Sequence, residues 1–445
     1  MRYQTRRLPA QLGRAGWNAI LGDQPAPQPL ETDATADFAV IGAGFAGLCA
    51  ARRLTELAPG ARVAVLEAGR IAESAAGRNS GFMIDLPHEL TSEDYAGAGD
   101  DKAIIALNRE AQGFARAAVE AYGIDRNFFD PGGKVNGAAS ETAHAHNESY
   151  AAHLASLDEP CEMLDAQAMH DLTGSRHYRS GLYTPGTVML HPAGYIRGLA
   201  AGLIRDGVAL HENTPVTGFE RSHDSWTLTT PRAKLTAGKV ILAVNGHLES
   251  FGIEPGRLMQ LFLYAVMTPA LDADQLARIG GQARWGITPS DPMGTTVRRI
   301  DEAQGGPRIV TRTCATLKPG MVPTTAGLKR ATRVMQKKFD SRFPALAGLG
   351  MEHAWAGHLC LSMNSVSVMR EIEPGLYSAC VQNGLGTARG TLTGMGAAEL
   401  ACNETSAITR HFTAEPRPTR LPPRPIREIG ANAVLRLREW RARDE

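Results

Sequence analysis

The chain has 445 residues, a formal net charge of +1 and 43% hydrophobic residues. This length exceeds what one hydrophobic core usually supports, so we expect two domains. The balanced charge excludes the strongly basic class of nucleic-acid-binding proteins and gives no indication of an acidic membrane surface as partner, and no run of eighteen apolar residues predicts a membrane span.

The cysteines indicate reduced thiols. They stand at positions 49, 161, 314, 360, 380 and 402 without C-x-x-C spacing and without a pairing to histidine that would suit a metal. The N-terminus also lacks the basic, apolar and small-residue order of a secretory signal. We therefore expect a cytoplasmic protein without a metal site.

The first 36 residues predict an extended arm, because Pro25, Pro27 and Pro29 disfavour a helix there. Trp17 is the bulky side chain that could anchor this arm, either on the body of the protein or on a second subunit. An arm without a function remains the simpler interpretation.

Residues 37–67 predict a βαβ unit that binds a nucleotide. Gly42 allows a tight turn after the apolar run 38–41, Gly44 allows close approach of a pyrophosphate, and Gly47 allows the helix to pack on the strand. Glu67 ends the second strand twenty residues after Gly47, where a carboxylate can accept hydrogen bonds from ribose hydroxyls. The agreement of strand, turn, helix and acid makes the glycine pattern informative.

Residues 68–82 contain few bulky side chains. Directly after the predicted ribose-binding acid, such a segment could lay its backbone along a flat cofactor. A plain surface loop is the alternative.

The middle of the chain predicts helices within 92–130 and a buried strand at 239–246 that returns to the parallel sheet. Short strands at 261–268, 295–300 and 308–313, followed by a helix at 328–339, are typical of an antiparallel sheet with a covering helix. This part would form the second domain.

The C-terminal third predicts a second glycine turn. A strand at 375–381 is followed by the glycine-rich stretch 382–390 and an alanine-rich helix to Ala401, which places amide donors at a helix N-terminus. A turn with only a packing role is the alternative. After a proline-rich linker, residues 431–443 predict a basic amphipathic helix that docks on the protein surface in preference to a membrane, because its apolar face is short.

These motifs together resemble the FAD-dependent D-amino acid oxidase superfamily, and most closely its γ-glutamylputrescine oxidoreductase-like and glycine or sarcosine oxidase-like members. The pieces that carry the resemblance are 40–48, 65–68, 74–81, His191-Pro192, 355–357 and 383–386. The resemblance implies an α/β fold: an FAD-binding Rossmann-like domain of the glutathione-reductase type with an interleaved α+β substrate domain built on an antiparallel sheet. The implied division is an arm at 1–36, an FAD-binding domain at 37–91, 185–250 and 346–410, a substrate domain at 92–184 and 251–345, and a linker and helix at 411–445.

The resemblance also implies roles for individual residues. Gly42, Gly44 and Gly47 would hold the pyrophosphate, Glu67 the ribose and Val216 the adenine end, while Gly384 and Gly386 would lie beside the pyrimidine edge of the isoalloxazine. The complete set of expected FAD-binding residues is Gly42, Gly44, Phe45, Ala46, Gly47, Glu67, Ala68, Ser74, Arg78, Asn79, Ser80, Gly81, Val216, Asn245, Gly384, Leu385, Gly386 and Thr387.

Two departures from the family pattern affect the expectations. Some sarcosine oxidases bind flavin through a cysteine whose place is taken here by Gly357, with Cys360 three positions away, which favours non-covalent FAD. The usual Thr-Pro-Asp-x-x-Pro segment is replaced by residues 362–367, so the family's substrate contacts do not carry over there.

The implied reaction is oxidation of the C–N bond of an amine or amino acid by hydride transfer to flavin N5, with hydrolysis of the resulting imine. His191, His358, Arg298 and Arg312 are the candidates for binding a carboxylate or tuning the amine. The electron acceptor would be O2 or a carrier, and homo-oligomer formation stays open. The alternatives are an NAD-dependent dehydrogenase and an FAD-binding subunit of a larger dehydrogenase complex.

Overall fold

The computed structural model describes residues 2–87, 99–291 and 293–445. The predicted domain boundary between residues 91 and 92, and the start of the helical stretch predicted from residue 92, lie outside these ranges. No helix within them is long and apolar enough to cross a membrane.

The strands and helices are numbered along the chain. The strands are β1 (Arg2–Gln4), β2 (Ala34–Ile41), β3 (Val63–Leu66), β4 (Phe82–Met83), β5 (Phe129–Asp130), β6 (Lys134–Ala138), β7 (Glu162–Asp165), β8 (Ser180–Thr184), β9 (Val188–Leu190), β10 (Ala209–His211), β11 (Gly218–Ser222), β12 (Ser225–Thr229), β13 (Lys234–Leu242), β14 (Leu258–Met267), β15 (Trp285–Pro289), β16 (Thr296–Ile300), β17 (Arg308–Leu317), β18 (His353–Ser362), β19 (Val368–Glu373) and β20 (Leu376–Cys380). The α-helices are α1 (Gly16–Ala19), α2 (Phe45–Leu57), α3 (Asp101–Tyr122), α4 (Glu141–Ser156), α5 (Ala166–Thr173), α6 (Pro192–Arg205), α7 (Ala273–Ile279), α8 (Thr325–Arg342), α9 (Ala388–Ala401), α10 (Ala407–Ala414) and α11 (Ile426–Arg441).

The first sheet contains the predicted βαβ unit. In the described part of the chain its order is β1-β11-β12-β13-β2-β3-β10, and β20, which also pairs with β19, joins at β13. The pairs β2–β3, β3–β10, β2–β13 and β13–β20 are parallel. The expected return of the chain to the parallel sheet is confirmed, because β13 lies directly beside β2. Helix α2 buries Leu48, Ala51 and Leu54, the apolar positions whose helical spacing predicted it.

The second sheet is almost entirely antiparallel. Its order is β18-β14-β17-β16-β15-β6-β8-β7, and β15–β6 is the parallel pair. Helix α8 packs against one face through Ala331, Met335 and Phe339, so the opposite face is left for the cavity described below. The mixed α/β architecture with an antiparallel substrate sheet is confirmed. Strand β18 lies in this second sheet, although the predicted division assigned 346–410 to the FAD-binding domain.

Both ends of the described part of the chain are integrated into the fold. The arm adds β1 to the first sheet, and Leu12 forms a bridge with Ala356 of the second. Trp17 is fully buried in the core of this same chain, which answers the question of where the arm is anchored. At the other end, the main-chain carbonyl of Glu445 accepts hydrogen bonds from Thr295 (2.8 Å) and Lys338 (2.6 Å).

Candidate functional site

One large cavity, of about 430 Å³, lies between the first sheet and the free face of the second. Its walls include both glycine-rich turns, which are more than 300 residues apart in the sequence. Every residue of the expected FAD-binding set lines it except Gly47. The fold therefore gathers these dispersed residues around one space.

The first glycine turn is built so that each glycine has a different reason for lacking a side chain. Gly42 has φ +102°, and a Cβ there would lie 2.7 Å from the carbonyl oxygen of Ala243. A Cβ on Gly47 would lie 1.8 Å from the carbonyl oxygen of Gly42, so Gly47 allows α2 to pack against the turn. Gly44 is different, because a Cβ there would meet only Ala76, at 3.7 Å. The space beside Gly44 belongs to the cavity.

Glu67 lies at the end of β3 with its carboxylate directed to the turn. Its Oε2 accepts a hydrogen bond from the amide of Ala43 (2.8 Å) and its Oε1 from the amide of Gly69 (3.1 Å). Burial raises the pKa of this carboxyl, and the backbone amides oppose that rise. The two oxygens of a carboxylate can accept about four hydrogen bonds, so Glu67 can hold the turn and still accept a hydrogen bond from a ligand in the cavity.

The loop after β3 is fixed through Arg78. Its guanidinium donates to the carbonyl oxygens of Ala356 (3.0 Å) and Leu12 (3.2 Å), and its own carbonyl accepts from the indole of Trp355 (3.0 Å). Burial lowers the pKa of Arg78 to about 10. Asn79 accepts a hydrogen bond from the amide of Gly81 (2.8 Å), which closes the loop along the cavity.

The second glycine turn reaches the first through helix packing. A Cβ on Gly394 of α9 would lie 2.2 Å from the carbonyl oxygen of Ala46, so α9 lies directly against the start of α2. Asn245 accepts from the amide of Val381 (3.2 Å), and Thr387 donates to the carbonyl of Phe82 (2.7 Å). These contacts hold the second turn beside the loop and the first turn.

The two helices that begin at the cavity have no side-chain cap. The N-cap residues are Gly44 for α2 and Thr387 for α9; Gly44 has no side chain, and the side chain of Thr387 accepts no hydrogen bond from the amides of α9. By contrast, α3, α4, α5 and α8 are capped by the side chains of Asp100, Ser140, Asp165 and Thr324. Uncapped N-termini present amide donors and the positive end of the helix dipole, which suits an anionic ligand.

Two of the four catalytic candidates lie behind the cavity wall. His191 is fully buried, caps α6 by accepting from the amide of Gly194 (3.0 Å), and has its pKa lowered to about 3 by burial and by Arg298. Arg298 donates to the carbonyls of Ser80 (2.9 Å) and Leu190 (2.6 Å), and burial lowers its pKa to about 10. Neither side chain lines the cavity. Arg298 holds Ser80 of the loop that lines it, and His191 caps α6.

The other two candidates, His358 and Arg312, line the cavity. The Nε2 of His358 lies 3.0 Å from Oε1 of Gln260, and its ring centre is 5.3 Å from that of His247. Burial is the main cause, and the neighbouring His247 the second, that lowers the pKa of His358 to about 3, so this imidazole is neutral at physiological pH. Arg312 lies on the free face of the second sheet, opposite Thr296 of β16.

No motif in the sequence predicted the polar row that accompanies Arg312. We use this name for Lys134, Asn136, Thr288, Thr296 and Arg312, which lie on the adjacent strands β6, β15, β16 and β17. Thr288 donates to Asn136 (2.8 Å) and receives a hydrogen bond from Lys134 (3.4 Å). The hydroxyl of Thr296 is buried and has no hydrogen-bond partner among the described residues. Thr288, Thr296 and Arg312 line the cavity.

Several further cavity residues were missed because nothing local marks them. Residues 5 and 7–11 of the arm, His247 before β14, and Leu435 of α11 all line the cavity. Their positions depend on how distant segments pack. Within the described ranges, no group of three or more histidine, cysteine or acidic side chains could hold a metal ion.

Comparison with known families identifies the nucleotide. The family model described as FAD dependent oxidoreductase matches residues 37–400.

The chain belongs to this FAD dependent oxidoreductase family.

The family prediction is thereby confirmed, and FAD, not a nicotinamide dinucleotide, is the cofactor. The chain is 25% identical over 416 residues to a probable oxidoreductase OrdL of Rhizobium meliloti (strain 1021), covering 91% of this chain and 92% of that protein. It is 24% identical over 380 residues to the gamma-glutamylputrescine oxidoreductase of Escherichia coli (strain K12), with 83% and 84% covered. The crystal structure of glycine oxidase from Geobacillus kaustophilus superposes with a TM-score of 0.68 at 17% identity, covering 84% of this chain and 96% of that one.

The residues around the cavity fit FAD. The open space beside Gly44, the two uncapped helix N-termini and the carboxylate of Glu67 are the features that a pyrophosphate and a ribose require. No described residue of the cavity wall is a cysteine, and Cys360 is fully buried in the core beneath the first sheet. The described wall therefore offers FAD no thiol.

Proposed function

We propose that this oxidoreductase oxidises the C–N bond of an amino acid, using FAD that is held without a covalent bond. The observation that carries the proposal is that Thr288, Thr296 and Arg312 of the polar row line the same cavity as the two glycine turns. The names of a relative and of a structural neighbour, gamma-glutamylputrescine oxidoreductase and glycine oxidase, agree with an amine or amino acid as substrate class.

The charges of the cavity favour a substrate with a carboxylate. Among the residues of the second sheet's strands that line the cavity, Arg312 is the arginine, and Lys134 supports the polar row through Thr288. Glu67 is the acid of the described wall, and it belongs to the nucleotide end. A guanidinium fork pairs with a carboxylate in two parallel hydrogen bonds, and the free hydroxyl of Thr296 can donate a third. A diamine without a carboxylate would find no acid there.

The chemistry that bound FAD would supply is oxidation: the substrate would lose a hydride from the carbon beside the amine to the flavin, and the resulting imine would hydrolyse in water. The protein's part is orientation. Arg312 and Thr296 would hold the carboxylate, and Leu261, Leu263 and Leu359 would exclude water from the reacting carbon. The neutral imidazoles of His247 and His358 have pKa values of about 4 and about 3 and are weak bases at neutral pH, so we propose that the amine binds in its unprotonated form.

Anaerobic titration of the purified holoprotein tests the proposal. Matched pairs of an L- or D-amino acid and the amine that lacks its carboxylate are added while the flavin absorbance is followed. We expect bleaching by an amino acid and little or none by its decarboxylated partner. In Arg312→Met the same amino acid should need roughly 100-fold higher concentration, because a charged bidentate contact is lost.

A holoprotein that no amine or amino acid reduces would contradict the proposed chemistry. Equal reduction by both members of each pair would contradict the role of the polar row alone. A protein made alone that binds FAD but becomes active only with another polypeptide would favour the remaining alternative, a subunit of a larger complex.

A further inference from the structure

The C-terminal helix α11 contacts the body of the protein with its polar side. The side chain of Asn432 accepts from the amide of Leu317 (3.0 Å) and donates to its carbonyl (3.3 Å). Glu439 accepts from the amide of Ala315 (2.9 Å) and pairs with Arg330 (3.0 Å). These bonds to the edge of β17 fix the rotation of the helix about its axis. The opposite side of α11 therefore faces outward.

That outward side carries most of the helix's large apolar residues. We call them the outer stripe: Ile426, Ile429, Val434, Leu437 and Trp440, whose exposed fractions are 67, 69, 50, 47 and 61%. Their spacing places them along one side of the helix. They are five of the ten exposed large hydrophobic residues in the described ranges, so the exposed apolar surface is concentrated here.

Arginines border the outer stripe. Arg438 and Arg441 are exposed and each follows a stripe residue by one position, and neither of them forms an ion pair with a described residue. The two acids of α11 are already neutralised, because Glu428 pairs with Arg424 (2.7 Å) and Glu439 with Arg330. The outward side of α11 is therefore apolar along its centre and positive along its margin.

We propose that the outer stripe docks on an anionic lipid surface, with α11 lying in the plane of the headgroups. Exposed isoleucine, leucine and tryptophan enter the boundary between headgroups and acyl chains, while arginines reach lipid phosphates with their guanidinium groups. The sequence predicted that this helix docks on the protein surface, and it does so through Asn432, Glu439 and Leu435, but the outward position of most of its apolar residues was not expected. The protein takes up the polar side of the helix and leaves the larger apolar side uncovered.

A second copy of the chain fits the outer stripe less well. Five half-exposed side chains present a few hundred Å², whereas a stable dimer usually buries about 800 Å² on each partner. Pairing two α11 helices across a two-fold axis would also bring the arginine margins of both copies together. Anionic lipid supplies the charge that a second α11 lacks.

Docking through the outer stripe would bring the cavity to the bilayer. Leu435, on the sheet-facing side of α11, lines the cavity. The helix would thus have one side in the lipid headgroups and the other at the wall of the site. The docking itself does not depend on the substrate proposed above.

Co-sedimentation of the FAD-loaded 445-residue chain with lipid vesicles tests the proposal. Vesicles of phosphatidylcholine alone are compared with vesicles that also contain phosphatidylglycerol, at low and high salt. We expect binding only to the anionic vesicles, weakened by salt. Trp440 is the exposed one among the five tryptophans, since the others are at most 3% exposed. Its emission should therefore shift to the blue and be quenched by brominated lipid.

Two variants and a matched control complete the experiment. Ile429→Ser/Leu437→Ser and Arg438→Gln/Arg441→Gln should each lower vesicle partitioning by roughly tenfold or more. Val322→Ser/Met363→Ser removes two apolar residues that are equally exposed, at 56% each, but lie outside α11, and should bind as the wild type does. Flavin content and circular dichroism verify that all variants are folded.

The proposal would be overturned by wild-type protein that does not bind anionic vesicles, or by binding that the stripe variants retain. It would also be overturned if sedimentation velocity shows a wild-type dimer that the stripe variant converts to a monomer while neither binds vesicles. That result would assign the stripe to a second copy of the chain.

Discussion

Replacing Gly44 by alanine should weaken FAD binding without weakening the apoprotein. A Cβ at this position meets nothing closer than Ala76 at 3.7 Å, and Gly44 has φ −87° and ψ −166°, which alanine adopts readily. The added methyl group projects into the cavity where the pyrophosphate must approach the helix N-terminus. We expect the loss of one charged hydrogen bond, about 1.5–3 kcal/mol, or roughly 10- to 100-fold in Kd for FAD.

Gly47→Ala is the informative comparison. Here the Cβ would lie 1.8 Å from the carbonyl oxygen of Gly42, well inside the ~3.3 Å of a close C···O contact, so the helix must move away from the turn. Overpacking of this kind costs about 1–3 kcal/mol of unfolding free energy, and FAD binding should fall as well. Gly44→Ala should change the unfolding free energy of the apoprotein by less than about 0.5 kcal/mol.

Gly113→Ala serves as the control for the substitution itself. Gly113 lies exposed within α3, with no atom near the position of a Cβ, so alanine should stabilise the helix by about 0.5–1 kcal/mol and leave FAD binding unchanged. FAD affinity is measured by quenching of flavin fluorescence on titration into apoprotein, and stability by urea unfolding. Wild-type FAD affinity in Gly44→Ala, or wild-type stability in Gly47→Ala, would refute this account of the turn.

Three further predictions concern charged groups. Glu67→Gln should weaken FAD binding by roughly tenfold, because a neutral amide oxygen replaces a charged acceptor; unchanged affinity by fluorescence titration would remove Glu67 from the site. Arg298→Met removes the hydrogen bonds that Arg298 donates to the carbonyls of Ser80 and Leu190, so FAD affinity should fall by roughly tenfold and the visible circular dichroism of bound flavin should change. The affinity of a carboxylate inhibitor should change far less in this variant than in Arg312→Met. A larger loss of inhibitor affinity in Arg298→Met than in Arg312→Met would contradict the placement of Arg298 behind the cavity wall. Burial lowers the pKa of Lys134 from 10.5 to about 8, so the unfolded chain binds more protons between these values, and unfolding free energy should rise with pH across that window by at most about 3 kcal/mol. Lys134→Met should remove this rise in a urea-unfolding series, and a rise of the same size in the variant would show that another group is responsible.

Features that arise within short stretches of chain could be read from the sequence. The unit from β2 through α2 to β3 is specified by residues 34–66, because its turn, its helix packing and its strand pairing all involve near neighbours. Together with the family resemblance, this was enough to predict the FAD-binding fold. Seventeen of the eighteen residues that the sequence and the resemblance named as FAD-binding line one cavity, and Gly47 packs behind them.

Which residues lie on the substrate side of the cavity could be determined only from the tertiary structure. His191 and Arg298 have the chemistry of catalytic residues, yet packing buries one as a helix cap and the other as a brace for the loop. Whether a polar side chain faces the cavity depends on strand register, and a shift of one residue would turn it to the other face of the sheet. Thr288, Thr296 and Arg312 line the cavity together only because β15, β16 and β17 pair in this register.

The sequence by itself therefore determined the nucleotide-binding βαβ unit, because the interactions of this unit are local and its residue types are constrained by backbone geometry. The tertiary structure decided which residues of the second sheet face the cavity, that the N-terminal arm and Leu435 line it, and which side of α11 is left uncovered. These features depend on contacts between segments far apart in the chain, and an amphipathic pattern does not specify which of its sides the rest of the protein will cover.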